Sequence, residues 1–160
     1  MPNWCEGVLR IRGKQKDIIK MVAEQCYLYN YKEQTQEFVP YINDTKYMTI
    51  SDERFIDTEL WLKDCHRMAV ELSWDFEYLD LYDMEEVITL ACNCRQAWGI
   101  SSEDLQKLSS LYNVDFRIYA FERGAEFNQD VEVIGGVVKK DDTIKFQNYT
   151  WDCINCMIGG

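Results

Sequence analysis

Histidine is almost missing from this 160-residue chain, where His66 is the only one. That limits any histidine-based triad or general acid–base pair to a single centre. Cys65 stands beside it, but neighbours on a helix face about 100° apart, so the two make a poor nucleophile and base. Phosphate-cradling glycine loops, HExxH and GxSxG patterns are also missing. The chain therefore reads as a non-enzyme. Long apolar runs are lacking too: none approaches the roughly 18 residues that a membrane span needs. The opening "MPNWCEGVLRIRG" has no cationic stretch followed by an apolar one. Neither membrane insertion nor export is expected, and a cytoplasmic address is.

Positive charge is the third shortage. Lys and Arg number 17 against 28 Asp and Glu, a formal net charge of −11. Neutralising phosphates supplies most of the affinity for a nucleic acid backbone, so direct nucleic-acid binding is not expected, and a basic partner is. The excess is local. Residues 52 to 86 hold twelve acids against Arg54, Lys63 and Arg67, which is −9 of the −11.

What the chain has is material for a core. Hydrophobic residues make up 47%, with five Trp, ten Tyr and seven Phe, which fits one packed domain over 1–160 and not a disordered or low-complexity chain. Residues 4 to 12 alternate as a strand that Gly13 ends, and Ile18, Ile19, Val22, Ala23 and Cys26 recur at helical spacing over 17 to 26. From 27 to 47 no clean period appears, and Pro40 opposes a long helix there. Phe55, Leu62, His66 and Ala69 fall near one stripe and predict a second helix after Ser51 and Asp52.

In "EEVITLACNCRQAW", Ile88, Leu90, Cys92 and Cys94 share one strand face. "SSEDLQKLSSLYN" carries a cap, a leucine stripe and an Asn stop, and predicts a helix. Three strands should follow at about 115 to 121, 128 to 134 and 143 to 149, with turns at Gly124, Gly135-Gly136 and Asp141-Asp142. The order predicts an α+β fold: a ferredoxin-like, mostly antiparallel sheet with helices on one face and an acidic, partly helical insertion at about 27–86.

Seven cysteines is an odd number, so a complete disulfide framework is excluded and reduced thiols are expected. Cys153-Ile-Asn-Cys156 has the spacing by which one segment offers two thiolates to zinc. Cys92 and Cys94 stand about 7 Å apart along a strand, too far for both to reach one ion without a bulge. In a ferredoxin-like core the first strand runs beside the one carrying Cys94, which brings Cys5 near it. The expected zinc set is Cys5, Cys94, Cys153 and Cys156, with Cys92 or His66 as replacements, forming a closed structural site. The competing reading is that these thiols pack as small hydrophobes, as expected for Cys26 and Cys65.

"ELSWDFEYLDLYDMEE" sets seven carboxylates among Trp74, Phe76, Tyr78 and Tyr82. Such a strip is either a solvated edge backed by core aromatics or a surface offering phosphate-like charge and flat contact area to a basic groove. The clustered charge favours the second, because such a field speeds encounter with a basic partner. Asp75, Glu77, Asp80 and Asp83, with Trp74 and Tyr78, are the expected partner-binding residues. No DxDxDG-type loop organises these acids around calcium.

"MPNWCEGVLRIRG" resembles the opening of the small MPNWC proteins of phages, prophages and plasmids, some described as ferredoxin-like. "DFRIYAFERGAEFNQDVEV" and the closing "WDC…GG" are similar to the back half of the same group. The resemblance covers roughly residues 1 to 26 and 95 to 160, and the acidic middle has no counterpart. It implies a ferredoxin-like fold, a mobile-element origin and no catalytic residues. Small acidic phage proteins of this kind include inhibitors of host CRISPR nucleases. With the charge pattern, the resemblance implies an anti-CRISPR protein that occupies a basic nucleic-acid-binding region of an RNA-guided CRISPR effector nuclease.

Overall fold

Alternating apolar and charged residues build the first strand, β1 (Trp4–Lys14), in which Cys5, Leu9 and Ile11 are buried while Arg10 and Arg12 are exposed. The computed structural model describes residues 3–30, 35–37, 58–71 and 83–160. After β1 come α1 (Gln15–Gln25), β2 (Cys26–Asn30), β3 (Thr35–Glu37), β4 (Thr58–Leu62), β5 (Met68–Val70) and β6 (Val87–Ala97). Then follow α2 (Ser102–Tyr112), β7 (Asp115–Glu122), β8 (Phe127–Ile134), β9 (Val137–Lys145) and the single-turn α3 (Tyr149–Asp152). The chain is an α+β protein. Its strands form one antiparallel sheet in the order β3-β2-β4-β5-β6-β1-β7-β8-β9.

β1 is the axis of that sheet. Leu9 pairs with Cys92 on β6 and with Ile118 on β7, and Ile11 with Leu90 and Phe116. Directly paired residues of antiparallel strands share a face, so these side chains form one apolar surface. Ile18, Met21 and Val22 of α1 join it, as do Leu105, Leu108 and Tyr112 of α2, and all are buried. At roughly 25 cal/mol per Å² of apolar surface removed from water, this two-layer core dominates the folding free energy. Among the described residues no helix is long and apolar enough to cross a membrane.

Local signals place both long helices. Ser101 caps α2 by accepting from the Asp104 amide at 3.2 Å, and Asn113 ends it in the left-handed conformation (φ 54°). Those are the side-chain oxygen and the αL stop that helix ends require. Gly135 and Gly136, with φ 58° and 73°, close the β8–β9 hairpin, since two positive φ angles suit the twist of a two-residue loop.

Three expectations change. The predicted helix after Ser51 begins outside the described residues, and its described part is the β4–β5 hairpin. Leu60 and Leu62 are buried at strand spacing, His66 of the supposed helical stripe is exposed, and Arg67 turns the chain at φ 48°. Met68 to Val70 then pair with Gln96 to Cys94, so the open edge of β6 overrides the local helical pattern. The insertion at 27–86 thus supplies β2 to β5 to the main sheet. β6, β1 and β7 lie side by side as a ferredoxin-like core requires, but β4 and β5 separate β2 from β6. Finally, β9 runs through Asp141-Asp142 and ends at Lys145. The diglycine hairpin zips it directly onto β8, and its charged residues suit an exposed sheet edge.

Candidate functional site

Six of the seven cysteines are buried, Cys156 is half-buried, and all are free thiols. Cys5, Cys92 and Cys94 lie on the helix-covered face: Cys5 pairs with Gln96, Gly7 with Cys94 and Leu9 with Cys92. The expected approach of Cys5 to Cys94 is therefore present, one strand apart and two residues along. Cys92 donates weakly to the Leu9 carbonyl at 3.8 Å and packs as core.

Cys153 is elsewhere. It meets Asn128, whose Nδ2 lies 3.5 Å from its Sγ. Asn128 pairs with Phe121, and Phe121 with Glu6, so strand alternation puts Asn128 on the face opposite Cys5. The sheet stands between the two halves of the expected zinc set. Among the described residues no group of three or more His, Cys, Asp or Glu side chains is positioned to hold a metal ion. His66 is exposed, and its amide donates to Asp104 Oδ2 at 3.0 Å.

Electrostatics agree with packing. Burial pushes the Cys5 thiol up to about 12, with Glu122 adding to it, and burial pushes Cys26 up to about 12, helped by Cys92. Cys65 and Cys94 are raised as well, again chiefly by burial. Burial favours the neutral thiol at all four, the form in which cysteine packs as a small hydrophobe.

Of the expected partner-binding residues, Asp75, Glu77, Asp80, Trp74 and Tyr78 lie outside the described residues. Asp83 is described and exposed. Its Oδ1 accepts from the Glu85 amide at 2.9 Å and its carbonyl from the Glu86 amide at 2.9 Å, a turn that leads into β6. Lys14 and Lys16 both bind Glu85, the former at 2.8 Å, and their hydrogen bonds hold its carboxyl down to about 2. Asp83 and Glu86 are the other exposed carboxylates of this turn.

The face away from the long helices shows what sequence reasoning missed. Arg95 stacks over the Trp4 ring at 4.7 Å and Arg67 at 5.7 Å, while Trp61 meets the same ring edge-on at 6.3 Å. Asn128 is a buried polar hub: Tyr149 donates to its Oδ1 at 2.9 Å, and its Nδ2 donates to the Tyr119 hydroxyl at 3.2 Å. Nothing in the local sequence marks Asn128, because its partners come from β7 and from α3, 21 residues on. Comparison with protein-family models, curated proteins and solved structures finds no match.

Proposed function

We propose that this chain is a non-enzymatic inhibitor of an RNA-guided CRISPR effector nuclease, of the kind phages and other mobile elements produce, acting in the host cytoplasm. One observation carries the reading: −9 of the −11 net charge is concentrated between residues 52 and 86. Asp83 and Glu86 present the end of that segment to solvent. A nuclease that threads guide RNA and target DNA through basic channels offers the complementary field. The acidic surface would compete with nucleic acid for such a channel, and no catalytic group is needed for that.

The test mixes the purified chain with a guide-loaded type II effector nuclease and measures target binding and cleavage. Inhibition at several-fold molar excess is expected, weakening as salt rises because the attraction is electrostatic. Charge reversal at Asp75, Glu77, Asp80 and Asp83 should weaken it further. Undiminished cleavage across a panel of such nucleases would refute the reading. Binding without inhibition, to another basic nucleic-acid-handling protein, would make the chain an accessory factor.

A further inference from the structure

The sheet that divides the expected zinc set leaves one pair of thiols together. Cys5, Cys26, Cys65, Cys92 and Cys94 belong to the core under the helices, whereas Cys153 meets Asn128 on the other face. The chain turns at residues 154 and 155, between Cys153 and Cys156, and the Ile158 amide then donates to the Asn155 carbonyl at 3.1 Å. Residues three apart across a turn have Cα atoms within about 7 Å. A disulfide spans about 4.4–6.8 Å between Cα atoms, so one bond can close this separation.

The two thiols differ in access. Cys153 is 6% exposed, while Cys156 is half-buried, so a reagent from solvent meets Cys156 first. The turn that carries them is attached to the sheet on both sides. Tyr149 and Cys153 are buried against Asn128, and the Gly160 amide donates to the Trp4 carbonyl at 3.0 Å. At Gly159 (φ 82°) a Cβ would lie 2.3 Å from the Phe121 carbonyl oxygen, so only glycine permits this approach.

We propose that Cys153 and Cys156 form a reversible dithiol site that low-molecular-weight disulfides oxidise, with Cys156 as the attacking thiol and Cys153 as the resolving one. The Cys156 thiolate attacks one sulfur of the small disulfide, whose S–S bond breaks, and the departing small thiolate takes up the proton that Cys156 gave. Cys153, on losing its own proton, then attacks the Cys156 sulfur, and the second small thiol leaves with that proton. The chain loses two electrons and two protons, and one small disulfide becomes two small thiols. The new bond removes the S–H that Cys153 directs at Asn128 Oδ1 across 3.7 Å and leaves that oxygen to the Tyr149 hydroxyl at 2.9 Å. In a reducing cytoplasm a disulfide of this kind is transient and records exposure to oxidant.

The experiment incubates the native full chain with mixtures of oxidised and reduced glutathione, quenches with acid, and digests with trypsin. No Lys or Arg follows Lys145, so residues 146–160 are released as one peptide whose only cysteines are Cys153 and Cys156. That peptide should become lighter by two hydrogen atoms, without bound glutathione. At a fixed ratio of the two forms, doubling both should lower the oxidised fraction, because an internal disulfide releases two thiols where a mixed one releases a single thiol. Cys153→Ser should stop at one glutathione on Cys156, and Cys156→Ser should stay unmodified. The wild-type arm needs no variant, so a loss of fold in Cys153→Ser leaves the test intact. A wild-type peptide that keeps glutathione, that stays reduced, or that forms the internal bond only in urea would overturn the proposal.

Discussion

The Asn128–Tyr149 hydrogen bond attaches the terminal segment to the sheet, and its energetic weight can be worked from the geometry. Both residues are buried, at 2% and 3% exposed, and the Tyr149 hydroxyl donates to Asn128 Oδ1 at 2.9 Å. In Tyr149→Phe, Oδ1 is left with only the Cys153 thiol at 3.7 Å. In Asn128→Ala, the hydroxyl itself is left buried without that acceptor. A buried polar group deprived of its partner costs about 1–3 kcal/mol, so each variant should lose about that much. The double variant removes both groups and should lose clearly less than the sum, with a coupling energy on the order of 1 kcal/mol.

Urea denaturation reads this directly. With a slope of about 1–3 kcal/mol per molar, a 2 kcal/mol loss moves the midpoint by about 1 M. Amide hydrogen exchange supplies an independent view, since Cys153 donates to Tyr149 and Gly160 to Trp4. If the segment opens before the sheet does, those two amides should lose protection even where the urea midpoint moves little. Single losses that add to within about 0.3 kcal/mol, together with unchanged protection, would refute the claim that this bond holds the segment.

Gly159→Ala tests the same attachment from the backbone side. The left-handed conformation costs an L-residue about 1–2 kcal/mol, and the Phe121 carbonyl leaves no room for the Cβ. Limited proteolysis should then cut near residue 155 while the sheet survives; unchanged resistance contradicts the contact. Glu85 should titrate near 2 in the folded chain, as followed by carboxyl carbon NMR. Because its folded value is depressed, its stabilising effect is complete above its unfolded value and is lost as pH falls through about 2. Lys14→Met with Lys16→Met should return the midpoint toward the ordinary carboxyl range, and a midpoint that stays near 2 would show that those lysines are not the cause. The six buried cysteines should react with a thiol reagent only on unfolding, with Cys156 alone reacting in the native chain. With the expected ligands split by the sheet, elemental analysis should find zinc below about a tenth per chain. About one zinc per chain, lost in the Cys153→Ser, Cys156→Ser double variant, would reverse that reading.

Sequence by itself determined the elements whose causes are local. The alternation in β1 and β6, the leucine stripe of α2 with its Ser101 cap and Asn113 stop, and the diglycine turn are written in consecutive residues, and all take the expected form. The concentration of negative charge is likewise a property of composition alone. Tertiary structure decided everything that depends on which segment lies beside which. Residues 58–70 follow the unpaired edge of β6 and not their own helical stripe. Cys5 and Cys94 share a face on neighbouring strands, whereas Cys153 lies with Asn128 on the other, because one residue of strand parity selects the face on which a side chain emerges. Tertiary attachment also decides the exposure of Trp151 and Ile154. Once Tyr149 and Cys153 have been drawn inward to Asn128, the apolar residues between and beyond them are left facing water.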